Sequence, residues 1–437
     1  MRPAQPTVLL VVESFGDRPG PNPPIADLVA RGHDRFRFVA VSRYVPPAVR
    51  GLVEWHRIPE AAPEPRILEW LSFFARASLA LRGLTGDLVH AIGPSPPAIQ
   101  AVDLATLTFH WAAFDRTAAA SGETRRIGVE ALGRRMMVWV ERSCYGAGRA
   151  RVLTTLSDPA RRDIEELLPG SAVALTSEGV DPERFRPDPK TRLAVRRAAR
   201  VADDEVVAVF VGRERRDTKG LGLALAGFAQ AAHAGSGPHR LWVLGTDGGC
   251  WRRVVAELGV ATKVELLGFR PDIERFLQAA DIFVLPTIYE VSCRAAYEAA
   301  ACGLPIVAPP VHAVADLIDD DAGGLVVRRD PAVIAAALER LAADMDLRRR
   351  LGEEARRRAL ANPHGRFVDT VFELYDQLLS TPRNPRTAAG GRVPPRRTRR
   401  RWRAARDPAT RRGAGRAVAR MPPRPAQPAG RRIPRSR

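Results

Sequence analysis

Two groups of polar residues follow apolar β-branched runs and have the composition of an anion or hydroxyl site. After VVAVFV (206–211) come Gly212 and Arg213, then Lys219 six positions beyond the arginine, then Gly220 opening a helical stretch to about Ala232. Backbone N–H groups and the positive dipole end of a helix favour an anion at such a point. A flexible ammonium beside a forked guanidinium would clamp a diphosphate there. The chain has 65 arginines and only three lysines, at 190, 219 and 263, so a lysine in this loop stands out from its background. The plainer reading is a solvated charged loop, since GRERRDTKG carries six charged residues.

The second group follows IFVLPT (282–287), where Glu290 and Glu298 are eight positions apart at a helix start. If the whole step were helical it would rise about 12 Å, close to the span from sugar to ribose across a diphosphate. One carboxylate would then accept hydroxyls from the sugar and the other from the ribose, with helix amides meeting the phosphates between them. Alternatively, Glu290 is a helix-dipole partner, and Arg294 makes i,i+4 ion pairs with both glutamates.

Positioning such groups requires strands that end where helices begin. Candidate strands are 7–12, 37–42, 88–93, 104–109, 151–156 and 172–177, followed by a second series at 206–211, 240–245, 263–268, 282–287, 305–310 and 324–327. Amphipathic stretches alternate with them, which predicts an α/β chain of two Rossmann-like doubly wound domains facing across a cleft. The charged, proline-rich stretch 182–205 marks the boundary, giving domains 1–189 and 190–365. A helix over 366–380 carries Phe367, Val371, Leu374, Tyr375 and Leu378 on one stripe, which suits it to pack back on the first domain. No G-x-G-x-x-G follows a strand and no G-x-x-x-x-G-K-[ST] occurs, which disfavours dehydrogenase and P-loop functions.

The formal net charge of +19 resides almost wholly in 381–437, where 19 arginines face the single acid Asp407. With ten prolines in the same segment, too few apolar groups remain to offset the entropy of ordering, so a disordered tail is expected. The rest is nearly neutral, which argues against a nucleic-acid-binding body. Four cysteines without C-x-x-C spacing fit a reducing compartment, hence a cytoplasmic protein. No stretch approaches the ~20 apolar residues of a membrane-spanning helix, so membrane contact is expected to be peripheral, at the inner face. The aromatic and basic stretches 66–84 and 126–145 are candidates for an anionic surface, though core-facing helices read the same way.

Taken in order, these segments resemble the retaining nucleotide-sugar glycosyltransferases of family 4 (glycosyl transferases group 1), which adopt the two-Rossmann GT-B fold. ADLVARGHD (26–34) resembles the family's first helix end and SEGVDPERFRP (177–187) its N-G-V-D-x-x-x-F hallmark. LGFRPDIERFLQAADIFVLPTIYE (267–290) and EAAACGLPIVA (298–308) are also similar. The resemblance implies that Arg213 and Lys219 neutralise the leaving diphosphate, that Glu290 holds the donor sugar and Glu298 the ribose, and that His110 of LTFHW lies beside the sugar. Where the family writes E-G-F-G, this chain has Glu290, Val291, Ser292 and Cys293, followed by Arg294. Side chains thus replace both glycines, and a narrower donor pocket is expected, with Arg294 as a further phosphate contact or a partner of the glutamates. The first glycine-rich loop is altered to FGDRPGPNPP, containing Gly16.

The expected function is transfer of a hexose-type sugar from a nucleoside-diphosphate sugar to a glycan, lipid-linked or small-molecule acceptor hydroxyl, with retention. No cofactor or metal is expected, because the histidines are scattered and the D-x-D triplets at 319–321 and 344–346 do not directly follow strands. The rival is a catalytically weakened GT-B protein acting as a scaffold, or binding nucleic acid or an anionic surface through its Arg-rich tail.

Overall fold

A strand covered by helices on both faces is stable only if it is apolar throughout, and runs such as TVLLVV and VAVFV meet that condition. In the computed structural model, residues 5–15, 24–59, 66–93, 102–120, 129–145, 150–212, 218–246, 248–319, 321–362 and 365–382 are described. The first half runs β1 (Thr7–Val12), α1 (Ile25–Gly32), β2 (Arg37–Ser42), α2 (Pro47–Arg50), β3 (Val53–Arg57), α3 (Arg66–Leu81), β4 (Leu88–Ile92), β5 (Val102–Leu107), α4 (Trp111–Ala120), α5 (Val129–Tyr145), β6 (Ala150–Thr155), α6 (Asp158–Leu167) and β7 (Val173–Leu175). The second half runs α7 (Pro189–Ala198), β8 (Val207–Val211), α8 (Leu221–Ala234), β9 (Arg240–Leu244), α9 (Trp251–Glu257), β10 (Val264–Gly268), α10 (Ile273–Ala279), β11 (Ile282–Val284), α11 (Arg294–Ala301), β12 (Ile306–Ala308), β13 (Gly324–Val326), α12 (Pro331–Ala343), α13 (Met345–Leu360) and α14 (Arg366–Ser380). The second-half starts are punctuated by aspartates: Asp188, Asp330 and Asp344 each accept a backbone N–H at the N-terminus of α7, α12 and α13.

Two parallel sheets result, a seven-stranded one in the order β3-β2-β1-β4-β5-β6-β7 and a six-stranded one in the order β10-β9-β8-β11-β12-β13. Residues 1–393 form one compact unit holding both. In each sheet the order reverses once, between β1 and β4 in the first and between β8 and β11 in the second. In an open α/β sheet, the loops leaving the carboxyl ends of the two strands at such a switch diverge to opposite faces and leave a crevice between them.

Two features differ from the sequence expectation. β3 was not foreseen: VEWHR mixes charge with its apolar residues, and as an edge strand it stays half-exposed. The helix carrying Glu298 begins at Arg294 rather than near Glu290, so only half of the eight-residue step is helical. Helix α14 follows the second sheet in sequence yet packs on the first. Phe367, Val371 and Tyr375 are fully buried in one cluster with Phe36 and Phe38, and Arg35 reaches Asp376 at 2.9 Å. The tail foreseen at 381–437 lies outside the described residues from 383 onward.

Candidate active site

The loops after β8 and β11 meet at the switch point of the second sheet. Ile288 N–H donates to the Thr218 carbonyl at 3.0 Å, and the Thr287 hydroxyl reaches the same oxygen at 3.3 Å. Gly220, at φ 81°, permits this crossing, because a Cβ there would lie 2.2 Å from the Pro286 carbonyl oxygen. Gly212 leaves room for the Lys219 stem, since a Cβ there would meet Lys219 Cδ at 2.8 Å. The outcome is an ion pair between groups 71 positions apart: Lys219 Nζ donates to Glu290 Oε1 at 2.6 Å, and the Thr287 hydroxyl donates to the same oxygen at 3.2 Å. Lys219 keeps a third of its side chain exposed while Glu290 is nearly buried. Beyond Gly220, α8 starts without a side-chain cap from its N-cap residue, and the amides of such a first turn favour an anion.

Between Glu290 and α11 the chain makes a turn that glycine would make without strain. Cys293, where the resembled family has glycine, sits at φ 45° as the uncapped residue before α11, a conformation costing about 1 kcal/mol or more for a side-chain-bearing residue. Its thiol is buried, and that burial pushes its pKa up, away from thiolate chemistry. Val291 is buried among residues of the first sheet's core, and Ser292 is half-buried beside it. Arg294 does not bridge the two glutamates by hydrogen bonds. Its Nε donates to Glu178 Oε2 at 3.2 Å, joining α11 to the segment leaving β7. Glu298, half-buried one helical turn on, has its carboxyl pushed up to about 7 by burial, with Arg294 and Arg184 pulling it down.

His110 follows β5 of the first sheet. It is 2% exposed, with Nε2 at 3.4 Å from the Thr155 hydroxyl. The adjoining Phe109 and Phe114 pack on Tyr289, at centroid distances of 5.2 and 6.1 Å, and the Tyr289 hydroxyl lies against the His110 backbone. Tyr289 therefore inserts the loop of Glu290 among the aromatic residues flanking His110. Beneath His110, Glu141 of α5 is buried with its carboxyl pushed up to about 7 by desolvation, opposed by hydrogen bonds from the Ala112 and Trp111 amides.

The structure thus brings together Gly212, Lys219, Glu290, Val291, Ser292 and Cys293, with Arg294 and Glu298 on the helix that follows and His110 joined to them through Tyr289. Arg213 and Gly16 lie outside the described residues. Thr287, Tyr289, Glu178 and Glu141 were not singled out from the sequence. The first two lie within three residues before Glu290, and Glu178 occupies the asparagine position of the N-G-V-D hallmark, so each left a local signal; Glu141 left none. Among the described residues no three His, Cys, Asp or Glu side chains cluster as a metal site, and no helix is long and apolar enough to cross a membrane.

Comparison with known proteins matches residues 205–344 to the family Glycosyl transferases group 1. A D-inositol 3-phosphate glycosyltransferase of Geodermatophilus obscurus is 32% identical over 244 residues, covering 52% of each chain. The chain spans about half the length of the curated relatives it matches. Among solved structures, sucrose-phosphate synthase from Thermosynechococcus elongatus superposes with a TM-score of 0.68 at 18% identity, over 86% of this chain and 100% of that one. Anabaena HepE in complex with UDP-glucose does so with a TM-score of 0.61 at 17% identity, over 86% and 100%. Residues 205–344, which carry Lys219, Glu290 and Glu298, belong to the glycosyl transferases group 1, and the chain around them has the GT-B fold.

Proposed function

We propose that the protein transfers a hexose-type sugar from a nucleoside-diphosphate sugar to an acceptor hydroxyl with retention of anomeric configuration. The Lys219–Glu290 pair at the switch point carries this reading, since it sets a partly exposed ammonium and a nearly buried carboxylate side by side where the two loops meet. A diphosphate at the first turn of α8 takes Lys219 as its counter-charge, and Glu290, still held by Thr287, turns to the sugar hydroxyls. Glu298 accepts from the ribose, and His110 flanks the sugar from the first sheet. The bond from the anomeric carbon to the diphosphate oxygen breaks as the bond to the acceptor oxygen forms on the same face, and the acceptor's proton passes to the departing phosphate. Negative charge grows on the leaving oxygens, so Lys219, Arg213 and the helix amides stabilise the transition state more than the ground state.

The complex of HepE makes UDP-glucose the first donor to try, and the name of the Geodermatophilus relative makes D-inositol 3-phosphate the first acceptor. The test is transfer by the purified chain with UDP- and GDP-sugars, before and after exhaustive chelation, with the product anomer read by NMR. Turnover that survives EDTA with the donor's configuration retained is expected. Inversion overturns the retaining reading, and strict dependence on Mn²⁺ overturns the assignment of the leaving-group charge to these residues.

Peripheral contact with an anionic membrane is supported by one surface feature: Trp139 is 67% exposed on α5, with exposed Arg135 and Arg142 on the same face. Loss of co-flotation with anionic vesicles in Trp139→Ala is the expected result, and equal flotation of both proteins removes this contact.

A further inference from the structure

We propose that Glu141 is the positioning residue for His110, fixing the imidazole's place in the cleft by clamping the start of α4 from below. The inference rests on the transfer reading above, in which His110 flanks the donor sugar.

His110 is the residue that precedes α4, and its carbonyl accepts the first intrahelical bond from Phe114 N–H at 2.9 Å. A residue in that place ordinarily uses its own side chain to accept amides of the first turn. Here that work is done from another helix. Glu141 Oε1 accepts Trp111 N–H and Oε2 accepts Ala112 N–H, both at 3.0 Å. The imidazole is thereby not needed as a cap and turns toward Thr155.

Glu141 is only 8% exposed and shares a small cavity with His110, lined also by Leu107, Ala112, Arg142, Ile164, Leu167 and Leu168. Burying a carboxylate is costly even beside Arg142, and a leucine of similar volume would pack against the leucine and isoleucine side chains of this lining without that cost. What the carboxylate provides, and leucine cannot, is a two-pronged hold on two successive amides at the positive end of a helix. On the far side of His110, Phe109 and Phe114 grip Tyr289, the neighbour of Glu290. A shift in the first turn of α4 therefore moves His110, while Lys219 and Glu298, on other elements, stay in place.

The test compares Glu141→Leu and the milder Glu141→Gln with the parent, each also combined with His110→Ala, after circular dichroism has confirmed the fold. Turnover is expected to fall roughly tenfold or more in Glu141→Leu, with the donor KM nearly unchanged and Glu141→Gln intermediate. In the His110→Ala background the same change should add little further loss, because Glu141 acts through the imidazole. Fully additive losses, or an equal rise in donor KM, would mean that Glu141 merely stabilises the domain and would overturn the inference. Hydrogen exchange of segment 109–114, which needs no turnover, judges the clamp separately. Unchanged exchange in Glu141→Leu overturns the inference whatever the transfer assay gives. Faster exchange in a chain whose parent transfers sugar from no nucleotide donor overturns the transferase reading and, with it, the role given to His110.

Discussion

At the scale of single residues, the proposed transfer has charges change partners when a donor arrives. Lys219 is paired with Glu290 at 2.6 Å, and in the proposed transfer it serves a diphosphate whose charge grows as the bond breaks. Lys219→Ala is expected to lower turnover by roughly two orders of magnitude or more, the scale seen when one donor to a developing oxyanion is removed. Steady-state kinetics with a matched donor checks this, and a near-normal rate would reduce the loop to a solvated turn. Glu298 makes a different demand. Burial pushes its carboxyl up from 4.5 to about 7, so below that pH it is increasingly protonated and, in the ribose-binding role proposed for it, accepts hydroxyls less well. Donor KM should accordingly rise as pH falls from 8 to 6, with a smaller change in the maximal rate, and Glu298→Gln should flatten that dependence. A profile of equal steepness in the variant would assign the titration to another group.

Among elements, the decisive contact is between the loops leaving β8 and β11. Neither loop alone makes a site: one brings the ammonium, the other the carboxylate, and Gly220 lets them cross. Gly220→Ala puts a methyl 2.2 Å from the Pro286 carbonyl oxygen and holds a non-glycine residue at φ 81°. Destabilisation of roughly 1–3 kcal/mol is expected from the backbone strain, with a loss of turnover beyond what the remaining folded fraction accounts for. Urea melts and activity measured on the same preparation decide it, and unchanged values for both would show that the loops part without consequence. The same crossing accounts for the late start of α11. Residues 290–293 are drawn toward the first sheet's core by Ile288, Tyr289 and Val291, and the left-handed turn at Cys293 then redirects the chain into the helix.

Across the whole molecule, the last described helix returns to the first sheet and closes a polar chain inside it. Tyr375 of α14 meets His90 Nδ1 at 2.7 Å, His90 Nε2 meets the Thr106 hydroxyl at 2.8 Å, and Thr106 meets Thr154 at 2.7 Å. Burial pushes His90 down to about 3, so it is neutral in the folded protein and takes up a proton on unfolding at any pH between about 3 and 6.5. This contribution to stability is fully present above 6.5, falls as the pH drops toward 3, and is constant below that, with a slope of up to about 1.4 kcal/mol per pH unit. Between pH 7 and 5 the parent should lose about 2 kcal/mol more than His90→Gln in denaturant melts. Parallel pH slopes for the two proteins would place the acid sensitivity elsewhere.

Much of the architecture was legible because it rests on local regularities. Apolar runs long enough to be buried on both faces named most of the strands, and the glycine and charged residues after two of them named Lys219 and Glu290 separately. β3 escaped because an edge strand needs only one apolar side, and the start of α11 escaped because the turn before it is imposed by packing against the other sheet. Only tertiary structure decided that Lys219 and Glu290 share one hydrogen bond, since strand order, not separation along the chain, makes β8 and β11 neighbours. It likewise decided that Arg294 hydrogen-bonds Glu178 of the segment leaving β7, and that Glu141, thirty positions from Trp111, caps a helix it does not belong to. Periodicity in a sequence records which face of an element is buried. Which buried polar groups meet across that face depends on how the sheets and helices are stacked, and a residue such as Glu141 reads in the sequence as one more charge on a basic helix until the amides above it are in place.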